Sequence, residues 1–180
     1  MQAEYLLSYD YGGTKMKFLK DGDLNSSRLL QIILAFTLMY MAVLWFTNIL
    51  LYVEKIGFTY SSVVDYYLGS EEEFKNPVSY IGLLEATHWH LFVFAMALLF
   101  VNHLTVFSNI HQFLKLLLII VSFFSGLGDM SAGWLIRFVS PSFAYLKLWS
   151  FIVFQISFLI LLVFSFTALQ IYSSEKKRAD

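Results

Sequence analysis

Cysteine is absent from the 180 residues of the chain. That one absence excludes disulfides, covalently attached c-type haem, cysteine-ligated iron–sulfur clusters and thiol nucleophiles. Charge is scarce as well, at 14% of residues with a formal net charge of −1. Such a balance offers no basic surface for a nucleic acid, so none is expected as a partner. A secretory signal is also missing: MQAEYLLSYDYGGTKMKFLKDGDLNSS is polar and mixed in charge, and the first apolar run begins only near Leu29. There is no internal repeat and no low-complexity tract.

What the chain has instead is apolar surface, with 58% hydrophobic and 19% aromatic residues. This exceeds the apolar share of an ordinary soluble domain, and it is gathered into long runs. About 20 apolar residues at a rise of 1.5 Å cross a hydrocarbon core of roughly 30 Å. Four stretches meet that requirement, at 29–53, 77–107, 110–127 and 146–172. Ser26 or Ser27 is available to cap the first, Asn76-Pro77 to open the second and Ser108 to open the third. GLGDM, from Gly126 to Met130, is read as the end of the third span, because two glycines and an aspartate disfavour helix. The expected fold is therefore all-α and integral to the membrane, a bundle of four transmembrane helices spanning 29–172. An N-terminal segment, 1–28, and a tail, 173–180, flank it.

Lys15, Lys17, Lys20, Arg28, Lys115, Lys176, Lys177 and Arg178 fall on one side of this layout, and Lys55, Lys75, Arg137 and Lys147 on the other. The positive-inside rule then places both termini in the cytoplasm of a bacterial-type inner membrane. The outer loop, 54–76, contains SSVVDYYLG, which predicts a short interfacial helix over 61–68, capped by Ser61 or Ser62 and stopped by Gly69. Trp45, Trp89, Trp134 and Trp149 are expected to form an aromatic belt. Thr47, Asn48, Gln155 and Ser157 are expected to hydrogen-bond between helices.

The second span carries the titratable groups. At one hundred degrees per residue, Glu85, His88 and His103 share a stripe with Phe92, Met96 and Leu99, while His90 points almost the opposite way. A stripe of this kind is unfavourable against lipid, so it is expected to face the bundle interior. Depth divides the groups into an outer cluster (Glu85, His88, His90, Asp129, with Arg137 nearby) and an inner pair, His103 and His111.

Different chemistries suit these positions. Neutral imidazole is an axial ligand for haem b, and apolar walls suit the macrocycle. His88 and His103 lie about 22 Å apart along the helix, a spacing that resembles that of diheme membrane cytochromes b. His103 with His111, and His88 with Met130, are then the ligand pairs, with Arg137 available to a haem propionate, to Asp129 or to lipid phosphate. A single transition-metal ion is the second chemistry, with Glu85, His88, His90 and Asp129 or His103 and His111 as donors. A proton relay or quinone site built from Glu85, His88 and Asp129 is the third. The sequence thus reads as a small b-type haem protein or the membrane subunit of an electron-transfer assembly, linked to a quinone or a redox partner. The alternative is an integral subunit or assembly factor without a cofactor, whose polar stripe docks other membrane helices.

Overall fold

The computed structural model describes residues 28–72 and 74–179, with side chains over 29–72 and 74–169. The N-terminal segment, the proposed Ser26 and Ser27 cap and the side chains of the C-terminal tail lie outside the described residues. Among the described residues the fold is all-helical, apart from an isolated bridge between Ser70 and Lys75. Helix α1 runs Arg28–Lys55, α2 Tyr60–Leu68, α3 Tyr80–Val106, α4 Gln112–Phe138 and α5 Ala144–Ala179, with a 3-10 turn at Pro141–Phe143 before α5. Four of these helices are long and apolar enough to cross a membrane. They pack as the expected four-helix bundle.

The longest interface is between α4 and α5, and α1 packs chiefly on α5. One core lies where α1, α3, α4 and α5 meet, around Leu38, Phe94, Val101, Phe158 and Leu161. A second core sits at one end of the bundle, where Val63 and Tyr67 of α2 pack on Leu83, Ile136 and Ala144. The short helix is thus a roof over the bundle, with its apolar side turned onto other helices. Its N-cap is Thr59 rather than Ser61 or Ser62, and Thr59 and Ser62 close a reciprocal capping box. Gly69 ends it as the sequence suggested. A side chain there would meet the Lys75 carbonyl at 2.6 Å, and φ is +83°, where only glycine is unstrained.

Helix boundaries depart from the sequence reading in three places. Helix α3 starts at Tyr80, because Ser79 accepts from the Gly82 N–H at 3.0 Å and serves as its cap. Pro77 instead lies against Gly69 in the extended approach. Helix α4 passes straight through GLGDM to Phe138. Its glycines mark close approach rather than termination: a Cβ at Gly126 would stand 3.2 Å from the Phe154 ring, and one at Gly128 would stand 2.7 Å from Ser150 Oγ. Small residues let helices approach closely in a membrane, where packing rather than water exclusion drives association. Helix α5 continues to Ala179, since SSEKKRA contains no helix breaker and ends in basic residues that suit a helix C-terminus.

Candidate functional site

The stripe of α3 does not face the interior. Glu85, His88 and His103 are all exposed in the single chain, and between them Phe92, Met96 and Leu99 are 62%, 53% and 61% exposed. The expectation of an inward acid and two inward imidazoles is therefore corrected. The physical reason is what each face must bury. The face of α3 packed on α4 and α5 is filled by Phe94, Ala97, Leu98, Val101 and Leu104, and its Asn102 and Thr105 donate there to carbonyls of their own helix. Phe92, Met96 and Leu99 are left outside, and the titratable groups that share their face stay out with them.

His90 turns inward. Its Nδ1 lies 2.6 Å from the Ala86 carbonyl. A carbonyl can only accept, so Nδ1 carries the proton and Nε2 of the neutral ring keeps a lone pair. His111 is arranged the other way. As N-cap of α4 its Nδ1 accepts from the Phe113 N–H at 3.3 Å, so the neutral ring keeps its proton on Nε2. Ser108, proposed for this cap, instead donates to the Thr105 carbonyl.

Asp129 is the buried charge, and its partner is Lys147 rather than Arg137. The Lys147 ammonium lies 2.7 Å from Asp129 Oδ1, with the two side chains 8% and 7% exposed. Its directed hydrogen bond goes to the Asp129 backbone carbonyl at 3.1 Å, so the contact with Oδ1 is chiefly electrostatic. Lys147 sits in the first turn of α5 and was read from sequence only as a topology signal. Arg137 donates through Nε to the Val78 carbonyl at 3.1 Å, tying α4 to the approach of α3.

The Asp129–Lys147 pair borders a cavity of about 160 Å³ under α2, with Tyr52, Tyr67, Met130 and His90 in its wall. The Tyr52 hydroxyl is buried without a partner, and its ring stacks on Phe151 with centroids 3.6 Å apart. Burial, with the Asp129 charge second, pushes the Tyr67 phenol well above its ordinary range. A wider groove of about 360 Å³ adjoins it between α1, α3 and α5, and Asn48, Leu51 and His90 line both spaces.

Neither space is lined by His88, His103 or His111. Among the described residues no group of three or more His, Asp or Glu side chains is placed to hold a metal ion. Of the residues proposed as ligands, His90, Met130 and Asp129 come together at the cavity, while Glu85, His88, His103 and His111 remain on the exterior.

The polar contacts within the bundle also differ from the expected set. Thr47 and Ser157 bond to carbonyls of their own helices. Trp45 and Trp134 donate across helices, to the Gln155 carbonyl at 3.0 Å and to Thr87 Oγ1 at 2.8 Å. Trp89 and Trp149 remain exposed.

Four apolar helices packed on one another, with a roofing helix at one end and a buried ion pair between two of them, define a multi-pass integral membrane protein in contact with the lipid bilayer. Residues 57–178, about two-thirds of the chain, match the Aq_1264_TM family model, a transmembrane helical domain. The chain belongs to that family. No curated protein and no solved structure matches it.

Proposed function

We propose that the chain is a non-catalytic membrane subunit, held in a larger helical assembly of a bacterial-type inner membrane through the outward face of α3. The observation that carries this reading is the exposure of His88 and Glu85 on a transmembrane helix. Helix α3 has 27 residues, about 40 Å of rise against a hydrocarbon core of roughly 30 Å. With the excess length shared between the two ends, His88, about 12 Å along the helix, lies within the hydrocarbon. Titratable groups at such depth are costly against acyl chains and favourable against a polar neighbour. Phe92, Met96 and Leu99 supply the apolar remainder of the docking face. The distribution of Lys and Arg supports cytoplasmic termini.

Photo-crosslinking from Met96 in native membranes tests the reading. A discrete protein adduct, lost when Glu85 and His88 are both changed to Leu, is the expected result; adducts with lipid alone overturn it. An electron-transfer form of the same reading places a b-type haem at this interface, with His88 or His103 as one ligand and the neighbouring subunit supplying the other. The absorption spectrum of the purified assembly tells the two forms apart. A Soret band abolished by His88→Ala or His103→Ala supports the haem form, and an assembly without one supports the cofactor-free subunit.

A further inference from the structure

Helix α1 rests chiefly on α5, so it stands beside α3 with a groove between them and α5 as its floor. The groove holds about 360 Å³ and is only partly enclosed, and a cleft between two membrane-crossing helices has lipid on its open side. Its walls are aromatic. Phe94 and Phe154 stack with centroids 4.5 Å apart, Phe158 continues the row, and Trp45 and Trp89 flank it. No lining residue carries a fixed charge.

One polar group in this wall is unexplained. The Gln155 side chain is 6% exposed, and neither its oxygen nor its nitrogen has a hydrogen-bond partner. Its backbone carbonyl is already occupied by Trp45. Burying an amide with all its hydrogen-bonding capacity unmet is unfavourable, and such groups call for a partner. The His90 imidazole and the amide of half-buried Asn48 border the same space.

We propose that this groove binds a lipid-soluble quinone, with a ring oxygen on the Gln155 amide and the isoprenoid tail leaving between α1 and α3. Each part of that ligand answers a feature of the wall. A flat ring suits stacked phenylalanines. A neutral polar edge suits a site without cations, which a phosphate headgroup would need. A carboxamide both donates and accepts, so it meets a quinone carbonyl through Nε2 and a quinol hydroxyl through Oε1. The lateral opening admits a tail that never has to leave lipid. The groove is centred on the side of α3 that carries His90, Val93 and Ala97 and meets the docking face only at its Trp89 rim, so this proposal does not rest on that reading.

The full chain in lipid nanodiscs, titrated with decylubiquinone and with its reduced form, tests it through quenching of Trp45 and Trp89. Saturable quenching by both forms is expected. Gln155→Leu should weaken both affinities about tenfold, while its unfolding curve stays at or above that of the parent protein. Gln155→Met, unbranched and of similar length, gives the same reading if the leucine variant fails to fold. Quenching that rises linearly with partitioned quinone, or equal affinity in parent and variant, overturns the proposal. Displacement of the quinone by an equal concentration of decanol also overturns it, since the groove would then take any apolar chain.

Discussion

Removing one member of the Asp129–Lys147 pair should cost far more than removing both. At 2.7 Å and an effective dielectric constant of about 20, their attraction is about 6 kcal/mol. Desolvation of two ions, at several kcal/mol each, offsets most or all of this. The intact pair is thus close to neutral for stability against an apolar pair of similar size. A lone survivor keeps the desolvation cost and loses the attraction. Lys147→Met is expected to destabilise the bundle by about 3–5 kcal/mol, and Asp129→Leu by a similar amount. The double variant should recover most of that loss or exceed the parent protein. Equilibrium unfolding from mixed micelles, followed by circular dichroism, measures all four corners of the cycle. The tenfold-per-1.4 kcal/mol relation turns the single losses into folded-to-unfolded ratios reduced more than a hundredfold. Single losses below about 1 kcal/mol, the scale of a solvated surface pair, would refute the reasoning. So would a double variant no better than the sum of the singles.

Two other outcomes follow from the roof. A Cβ at Gly133 would lie 2.9 Å from the Tyr67 ring, so Gly133→Val should destabilise by about 1–3 kcal/mol through overpacking, and Tyr67→Ala in the same chain should restore part of the loss in the same unfolding assay. The Tyr67 phenol is raised above its ordinary value of 10.0, first by burial and then by the Asp129 charge. The folded state therefore holds its proton where the unfolded state releases it, so this contribution is complete below about pH 10 and declines above it. Thermal midpoints from about pH 8 to 11 should fall less steeply at the alkaline end in Tyr67→Phe than in the parent; parallel curves would exclude the effect.

The four spans were legible because their signal is length and apolar content, which no tertiary context cancels. The roofing helix was legible too, from the serines before it, the stop at Gly69 and the apolar and aromatic residues Val63, Val64, Tyr66, Tyr67 and Leu68 between them. At Gly126 and Gly128, where glycine was read as a helix stop, the reading failed. In lipid, Gly126 and Gly128 are contact surfaces, and the same residues that end a helix in water draw two helices together here. The inward face of α3 was misassigned because only the titratable groups were weighed. Phe94, Ala97, Leu98, Val101 and Thr105 recur at helical spacing on the packed side, but Phe92, Met96 and Leu99 make the outward side equally apolar, so the pattern alone did not distinguish the two. The pairing of Asp129 with Lys147 needed the turn between α4 and α5, which folds back closely enough to bring the ammonium of one onto the carboxylate of the other. Sequence distance alone favoured Arg137. Gln155 was noticed as a polar residue in a span, but its lack of a partner is visible only once its neighbours are placed.

The nine residues of α2 are too few to hold a helix in place by their own hydrogen bonds. What anchors them is an omission on another helix: at Gly133 the missing side chain leaves a notch, and the edge of the Tyr67 ring occupies it. Sliding the roof by a single residue would bring Tyr66 or Leu68 over that notch and swing Val63 out of the second core. The segment has one seating on the bundle, and its address is written in a hydrogen atom where any other amino acid would carry carbon.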